Sequence, residues 1–298
     1  MTNTDSVLVL AGATASGKTQ LAVDLAQRFD AEIINADSRQ IYADMTIGTA
    51  APTPDQLRAV RHHLIGFLAP SQIYSAAQFV IDAAAAIMDI HARGKRVIVV
   101  GGTGFYIRAL CGDMVLASEH DAAVRERLRQ EAKIHDLSFL HDWLTTRDAR
   151  RAAMIAPGDA YRISRALEIV LAPAPPQERE LPTLRHQNLS FVKIVLDVDV
   201  DELDHRIEAR TDAMLDAGFI EEAERIGAAV PAANAVGYPH ALAYLRGEES
   251  LHELRAHLVR ATRRYARRQR TWFRSEPFAL WLARNDVEAA AREFLRWT

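Results

Sequence analysis

Residues 6–22 read SVLVLAGATASGKTQLA. The run Val7–Ala11 is apolar and β-branched, the pattern of a buried strand. A glycine-bearing loop follows, and Thr19–Arg28 has the composition of a helix. Gly12, Gly17, Lys18 and Thr19 satisfy G-x-x-x-x-G-K-[ST]. Glycines let backbone N–H groups turn onto phosphate oxygens, and a helix N-terminus adds partial positive charge. Lys18 is placed to neutralise terminal phosphates, and the Thr19 hydroxyl to reach Mg²⁺. The stretch therefore predicts a diphosphate grip without naming its owner.

Two further strand-like runs lie nearby, Ala31–Ala36 (AEIINA) and Arg96–Val100 (RVIVV), with a helix-like stretch over Ser75–His91. Strands alternating with helices predict an α/β fold, a P-loop-type parallel sheet flanked by helices. In such sheets ligands gather at the carboxyl ends of the strands. The segments there are GATASGKT, DSRQIY and GGTGFY. From Val115 to Leu189 charged helical text dominates and ends in the Pro-rich APAPPQERELP. This predicts a small inserted helical domain over 115–189, with 1–114 and 190–298 as the core. A strand over Phe191–Asp199 returns to the sheet, and the remainder reads as helical to Trp297.

The composition is that of a globular protein, 49% hydrophobic and 25% charged over 298 residues. The lone Cys111 excludes an internal disulfide and a Cys-based zinc site, which fits a reducing cytoplasm. No apolar run approaches a membrane span, and the N-terminus carries no signal-like segment. A cytoplasmic monomer is the expectation.

The usual acid after a later strand of a nucleotide-hydrolysing P-loop protein is missing: RVIVV runs into Gly101, Gly102, Thr103 and Gly104. The nearest strand-end carboxylate is Asp37, readable as a helix N-cap or as a group that takes a proton or holds Mg²⁺. The acidic run Asp197–Asp204 reads as a strand end followed by a helix capped by Asp201. Over Leu254–Arg274, Leu254, Leu258, Ala261, Tyr265 and Trp272 share one helical face. Arg263, Arg267, Arg270 and Arg274 lie opposite, flanked by Arg255, Arg260, Arg264 and Arg268, with no acid in the window. Solvated faces normally mix signs, so this ladder predicts contact with a phosphate backbone. A second Arg group, Arg125, Arg127, Arg129, Arg162 and Arg165, lies in the insertion.

Taken together, GATASGKTQLA, NADSRQIYADMTIGTAAPT, HHLIGF, VGGTGFYIRAL, PGDAYRISRALE, RIEARTDAMLDAGFIEEA and TRRYARRQRTWFR resemble, in order, the tRNA dimethylallyltransferase (tRNA isopentenyltransferase) family. The resemblance implies transfer of a dimethylallyl group from dimethylallyl diphosphate to N6 of adenosine 37, beside the anticodon in the anticodon stem-loop of tRNA, with Mg²⁺ as cofactor. It implies that Gly12, Thr14, Ala15, Ser16, Gly17, Lys18 and Thr19 bind the diphosphate, Thr19 through Mg²⁺ that Asp37 also approaches. Arg210 is then the group that stabilises the departing charge, and Asp37 the general base. Ser38, Arg39, Gln40, Thr103, Arg125 and the run Tyr161, Arg162, Ile163, Ser164 and Arg165 are implied tRNA contacts, beside Arg263, Arg267 and Arg270. Phe105, Tyr106 and Tyr42 either shield a developing allylic cation or fill the core. The family's eukaryotic zinc-finger extension has no counterpart here, so the bacterial form is expected. Two rivals remain at this stage. A small-molecule kinase needs a second acid, and a non-catalytic RNA-binding switch leaves Asp37 without a role.

Overall fold

The computed structural model describes residues 6–116, 122–172 and 180–297. Val7, Leu8, Val9 and Leu10 of β1 (Ser6–Ala11) are fully shielded from solvent. A strand buried on both faces needs a continuous apolar run, and that is why VLVLA places it at the centre of a parallel sheet. Around it lie β2 (Ala31–Asn35), β3 (His62–His63), β4 (Arg96–Gly101), β5 (Ser190–Leu196) and β6 (Ala279–Leu282). The order is β3-β2-β4-β1-β5-β6, and every pairing is parallel. In register, Val7 faces Val97 of β4 and Phe191 of β5.

The helices Lys18–Phe29 and Val287–Leu295 bury Leu21, Leu25, Phe29, Val287 and Leu295 against Leu8, Leu10, Ile33, Ile98 and Ile194. Trp297 closes this layer, meeting Phe29 edge-on at 5.3 Å and donating its indole N–H to Ser6 Oγ at 2.8 Å. The Ala76–Ala92 helix packs on β2 and β4, and Ser75 caps it by accepting from Gln78 N–H. Neighbours β1 and β4 send their connections in opposite directions, to β2 and to β5. The crevice between their carboxyl ends is a topological switch point, where α/β sheets bind ligands.

The described residues correct three expectations and decide a fourth that was open. β3 and β6 are strands where the reading had none, and β6 interrupts the tail expected to be helical. Asp199, not Asp201, caps the helix Val200–Asp216, accepting from the N–H groups of Asp201 and Glu202. The chain divides into Met1–Met114 with Leu181–Thr298, and Val115–Glu180. Residues 181–189 thus lie with the core: Leu184 is buried, and its N–H donates to Leu110 O at 2.8 Å. Finally, Tyr42 and Tyr106 are core residues, Tyr106 stacking on Phe79 at 4.5 Å, whereas Phe105 is exposed. Within Val115–Glu180, the helices Ala122–Ile134, Leu137–Arg147 and Ala160–Leu171 enclose Leu128, Leu140, Leu144, Ile163 and Leu167.

One buried acid ties the sheet edge together. Glu32 on β2 accepts from Arg93 at 2.8 Å and meets His63 Nε2 at 2.7 Å. The Arg93 guanidinium and the His63 contact hold its carboxyl down at about 2. A depressed carboxylate adds stability that is complete above its unfolded value near 4.5 and is lost as pH falls toward about 2. Glu32→Gln should cost on the order of 1–3 kcal/mol at neutral pH. It should also flatten urea-unfolding stability across that acid window. An unchanged acid limb in the variant would contradict this role.

Candidate functional site

The Gly12–Thr19 loop leaves β1 at the switch point. Ala15 (φ 64°) and Gly17 (φ 85°) both adopt the left-handed conformation. Left-handed residues within a turn bring successive N–H groups to one side, a concavity that accepts anions. A non-glycine residue there is strained, and such strain collects at functional sites. The Lys18–Phe29 helix begins at Gly17 with no side-chain cap, which leaves its first N–H groups for a ligand. Ser16 Oγ is buried in the loop without a hydrogen-bond partner.

Two cations close on this loop. Lys18 Nζ donates to Ala13 O at 3.1 Å. Burial pushes its ammonium down to about 8, against the pull of Asp37 and with a further push from Arg210. Arg210, on the Val200–Asp216 helix, donates to Thr14 Oγ1 at 2.8 Å, and burial lowers it too while Asp37 opposes. Arg206 on the same helix donates to Ser16 O at 3.1 Å. Two desolvated cations face one carboxylate, and an anionic ligand would restore the balance.

Asp37 follows β2. Its N–H donates to Asn35 Oδ1 at 3.1 Å, and its Oδ1 accepts from Arg39 N–H at 2.9 Å. This is an Asx turn at a strand end and no helix begins there, so the N-cap reading falls away. Among the described residues Asp37 Oδ2 has no donor. Asp37, Lys18, Thr19, Asn35, Gln40 and His62 line one narrow cleft. Thr103 joins the β2 and β4 loops: its N–H donates to Ala36 O at 3.2 Å, and its Oγ1 accepts from Ser38 N–H at 2.9 Å. A Cβ on Gly101 would lie 2.2 Å from Ala36 O, so the strand ends approach closely only because residue 101 is glycine. Gln40 spends both N–H groups on the carbonyls of Thr49 and Ala50.

Sequence reasoning passed over the residue that joins these parts. Gln269, on the Leu251–Arg274 helix, accepts from Thr14 N–H at 2.8 Å and donates to Gly102 O at 2.8 Å. An amide in the buried stripe of an otherwise Arg-rich helix was the available signal. Glu222 was also missed. It accepts from Ile47 N–H and Gly48 N–H, both at 2.8 Å, and from Tyr238 OH at 2.6 Å, fixing the segment after Asp37.

The same helix shows a different division of its faces. Leu254, Leu258, Val259, Ala266, Gln269 and Phe273 are buried, while Ala261, Tyr265 and Trp272 lie at the edges. Arg263 pairs with Asp204 at 3.1 Å and Glu208 at 2.5 Å. Arg270 donates to Val198 O at 2.6 Å. Arg260, Arg264 and Arg267 make no ion pair among the described residues and line a groove with Val259 and Glu208. In the other unit, Arg125 and Arg165 both hold Glu168, at 3.1 and 2.8 Å, and Arg162 meets Asp159 at 3.4 Å. Ile163 is fully buried there and presents no side chain to a partner, whereas Tyr161 is exposed.

Fold and site define an α/β protein whose first strand–loop–helix unit grips an anion beside a strand-end carboxylate. The description "IPP transferase" matches residues 40–276. With that match spanning most of the chain, the protein belongs to the IPP transferase family. It is 44% identical to the tRNA dimethylallyltransferase of Anaeromyxobacter dehalogenans over 96% of this chain and 98% of that one. Identity to the tRNA dimethylallyltransferase of Geobacter sulfurreducens is 39%, over 93% and 91%. Among solved structures, the full-length tRNA isopentenylpyrophosphate transferase of Bacillus halodurans matches with a TM-score of 0.71 and 33% identity, over 98% and 97%. A eukaryotic dimethylallyltransferase acting on tRNA matches with a TM-score of 0.74 and 25% identity, over 97% of this chain and 77% of that one.

The charge on Lys18 sets a pH dependence. The ammonium is present below about 8 and is lost above it. Affinity for inorganic diphosphate, titrated calorimetrically on either side of that pH, should therefore fall on the alkaline side. Lys18→Arg keeps its charge and should lose that alkaline limb. An identical limb in both proteins would place the titration elsewhere.

Proposed function

We propose that this protein transfers a dimethylallyl group from dimethylallyl diphosphate to N6 of adenosine 37 in tRNA and releases diphosphate. The observation that carries the reading is the unpartnered oxygen of Asp37, in one cleft with Lys18 and Thr19 and beside a loop shaped for phosphate. Support for the acceptor comes from the relatives, several of which are tRNA dimethylallyltransferases. In this reading the loop is a P-loop that holds the leaving group.

The exocyclic amine of adenine is a poor nucleophile, so departure of diphosphate must be assisted. The N–H groups of residues 15 and 17–19, Ser16 Oγ, Lys18 and Arg210 meet the charge that builds on the diphosphate oxygens. As N6 bonds to C1 of the dimethylallyl group, the C1–O bond breaks and its electron pair leaves with diphosphate. Asp37 accepts the proton that N6 gives up. Thr19 Oγ, free of hydrogen bonds among the described residues, and the Asp37 carboxylate are the hard oxygen donors that Mg²⁺ prefers. When bound there, Mg²⁺ adds positive charge to the diphosphate. The adenosine must leave its stack to enter so narrow a cleft.

Arg260, Arg264 and Arg267 follow the tRNA backbone in this reading, since their guanidinium groups are not spent on carboxylates. Arg263 and Arg270 serve chiefly to hold the helix. Ser38 and Arg39 follow Asp37 directly in the chain, and Thr103 holds Ser38. In the Val115–Glu180 unit the exposed Tyr161 and Arg162 are the proposed contacts, with Ser164, Arg165 and Arg125 behind them. A tRNA substrate places the work in the cytoplasm, and a monomer suffices because every proposed group of the reacting centre lies on one chain.

The test is incubation with unmodified tRNA, dimethylallyl diphosphate and Mg²⁺, without ATP, followed by mass analysis of the nucleosides. Dimethylallylated adenosine should form. Asp37→Asn should lower its rate by about 100-fold or more while tRNA still binds. Absence of the modified nucleoside with the wild-type protein would overturn the function, and full activity in Asp37→Asn would overturn the base.

A further inference from the structure

Away from the site just described, His240, Glu249 and His257 converge. His240 lies on the Tyr238–Leu245 helix, His257 on the Leu251–Arg274 helix, and Glu249 in the turn that joins them. Glu249 Oε1 is 3.3 Å from His240 Nδ1, and its Oε2 is 3.0 Å from His257 Nδ1. One ligand atom from each residue lies within 4.8 Å of the other two.

Distances of this size have a simple geometric meaning. Ligand atoms bound to one ion at about 2.0–2.2 Å in tetrahedral array stand about 3.3–3.6 Å apart. The two contacts run to different oxygens of Glu249, so a single ion requires the three ligand atoms, now within 4.8 Å of one another, to draw together around one carboxylate oxygen. The angles matter as well. His257 Nδ1 and Glu249 Oε2 are both buried, and neither has a partner at hydrogen-bond geometry despite their 3.0 Å separation.

The turn holds this arrangement in place. Ser250 accepts from Glu253 N–H, and Glu253 accepts in return from Ser250 N–H, a capping box directly after Glu249. Gly247 supplies the left-handed residue the reversal requires (φ 75°). Glu248 is drawn aside by Arg246 at 2.6 Å, so of the two acids in the turn Glu249 faces the histidines. All three residues are only partly buried.

We propose that His240, Glu249 and His257 form a binding site for a divalent transition-metal ion, with two imidazole nitrogens, one carboxylate oxygen and solvent as ligands. That donor set suits Zn²⁺ and its neighbours; Mg²⁺ prefers oxygen alone. The ion staples the first turns of the Arg-rich helix to the preceding helix. It takes no part in the proposed chemistry, so the site stands or falls independently of the prenyl-transfer reading.

The test uses chelator-treated full-length protein dialysed against Zn²⁺, with Co²⁺ absorption as a second probe. The wild-type chain should bind a single ion at this site and melt at a higher temperature with Zn²⁺ than without. His240→Gln and His257→Gln should each weaken binding by at least about tenfold, since loss of an outer-shell partner alone costs that much. Both should lose the Zn²⁺-dependent rise in melting temperature while melting like the wild type when metal-free. Equal Zn²⁺ binding by wild type and both variants would overturn the site. So would wild-type protein that binds neither ion, which would leave the cluster a carboxylate bridging two imidazoles.

Discussion

A single carboxamide holds the reacting parts of this protein together. Gln269 accepts from Thr14 N–H and donates to Gly102 O, joining the loop after β1 to the loop after β4 through a helix far along the chain. An amide side chain can do both, because it carries an acceptor oxygen and donor N–H groups and each loop offers the opposite kind of group. The tie also explains the glycines of GGTGFY. A Cβ on Gly102 would lie 2.3 Å from Gln269 Nε2, and one on Gly104 would lie 2.1 Å from the Trp272 ring. These glycines let the Leu251–Arg274 helix press against the sheet edge; they are not part of a dinucleotide fingerprint. A buried amide left half-satisfied costs about 1–3 kcal/mol, so the arrangement is kept whole or lost together.

Electrostatics follow from that closeness. Lys18 and Arg210 are both disfavoured as cations by burial, and the Asp37 carboxylate opposes the shift in each. Such a site stores unfavourable positive potential until an anion arrives. A diphosphate relieves it, and the charge that develops as the C–O bond breaks relieves it further. Asp37 thus has two duties in the proposed reaction. It keeps the cations charged and it takes the proton, which explains why a strand-end acid replaces the acid missing after β4. The outer arginines obey a different rule. Those facing the acids of the Val200–Asp216 helix are bound to them, as Arg263 is to Asp204 and Glu208. Those one step further round the helix are left for a partner.

What could be read in advance were the features encoded over short spans. The Gly12–Thr19 loop, β1, β2, β4, the Ala76–Ala92 helix and the parallel sheet follow from local periodicity and turn chemistry. β3 is two residues long and carries no period, and β6 is a half-buried edge whose ALWL fits helix as well as strand. Gln269 escaped because its worth depends on two backbone groups more than 160 positions away. The Arg ladder was legible as a charge pattern. Which rungs are spent on carboxylates was not, since Asp204 and Glu208 lie on another helix. Ile163 shows the same limit: it follows the exposed Tyr161 and Arg162, yet helical rotation turns it into the core of its unit.

The most direct test of this account is the single-turnover rate of adenosine prenylation by Gln269→Leu, at saturating tRNA and dimethylallyl diphosphate. Leucine fills the space but joins neither Thr14 nor Gly102, so the diphosphate loop should drift from the Asp37 edge. Displacements near 1 Å cost about 100-fold in rate, and a loss of that order is expected with the helix still formed. A wild-type rate in this variant would contradict the claim that the Gln269 tie assembles the site.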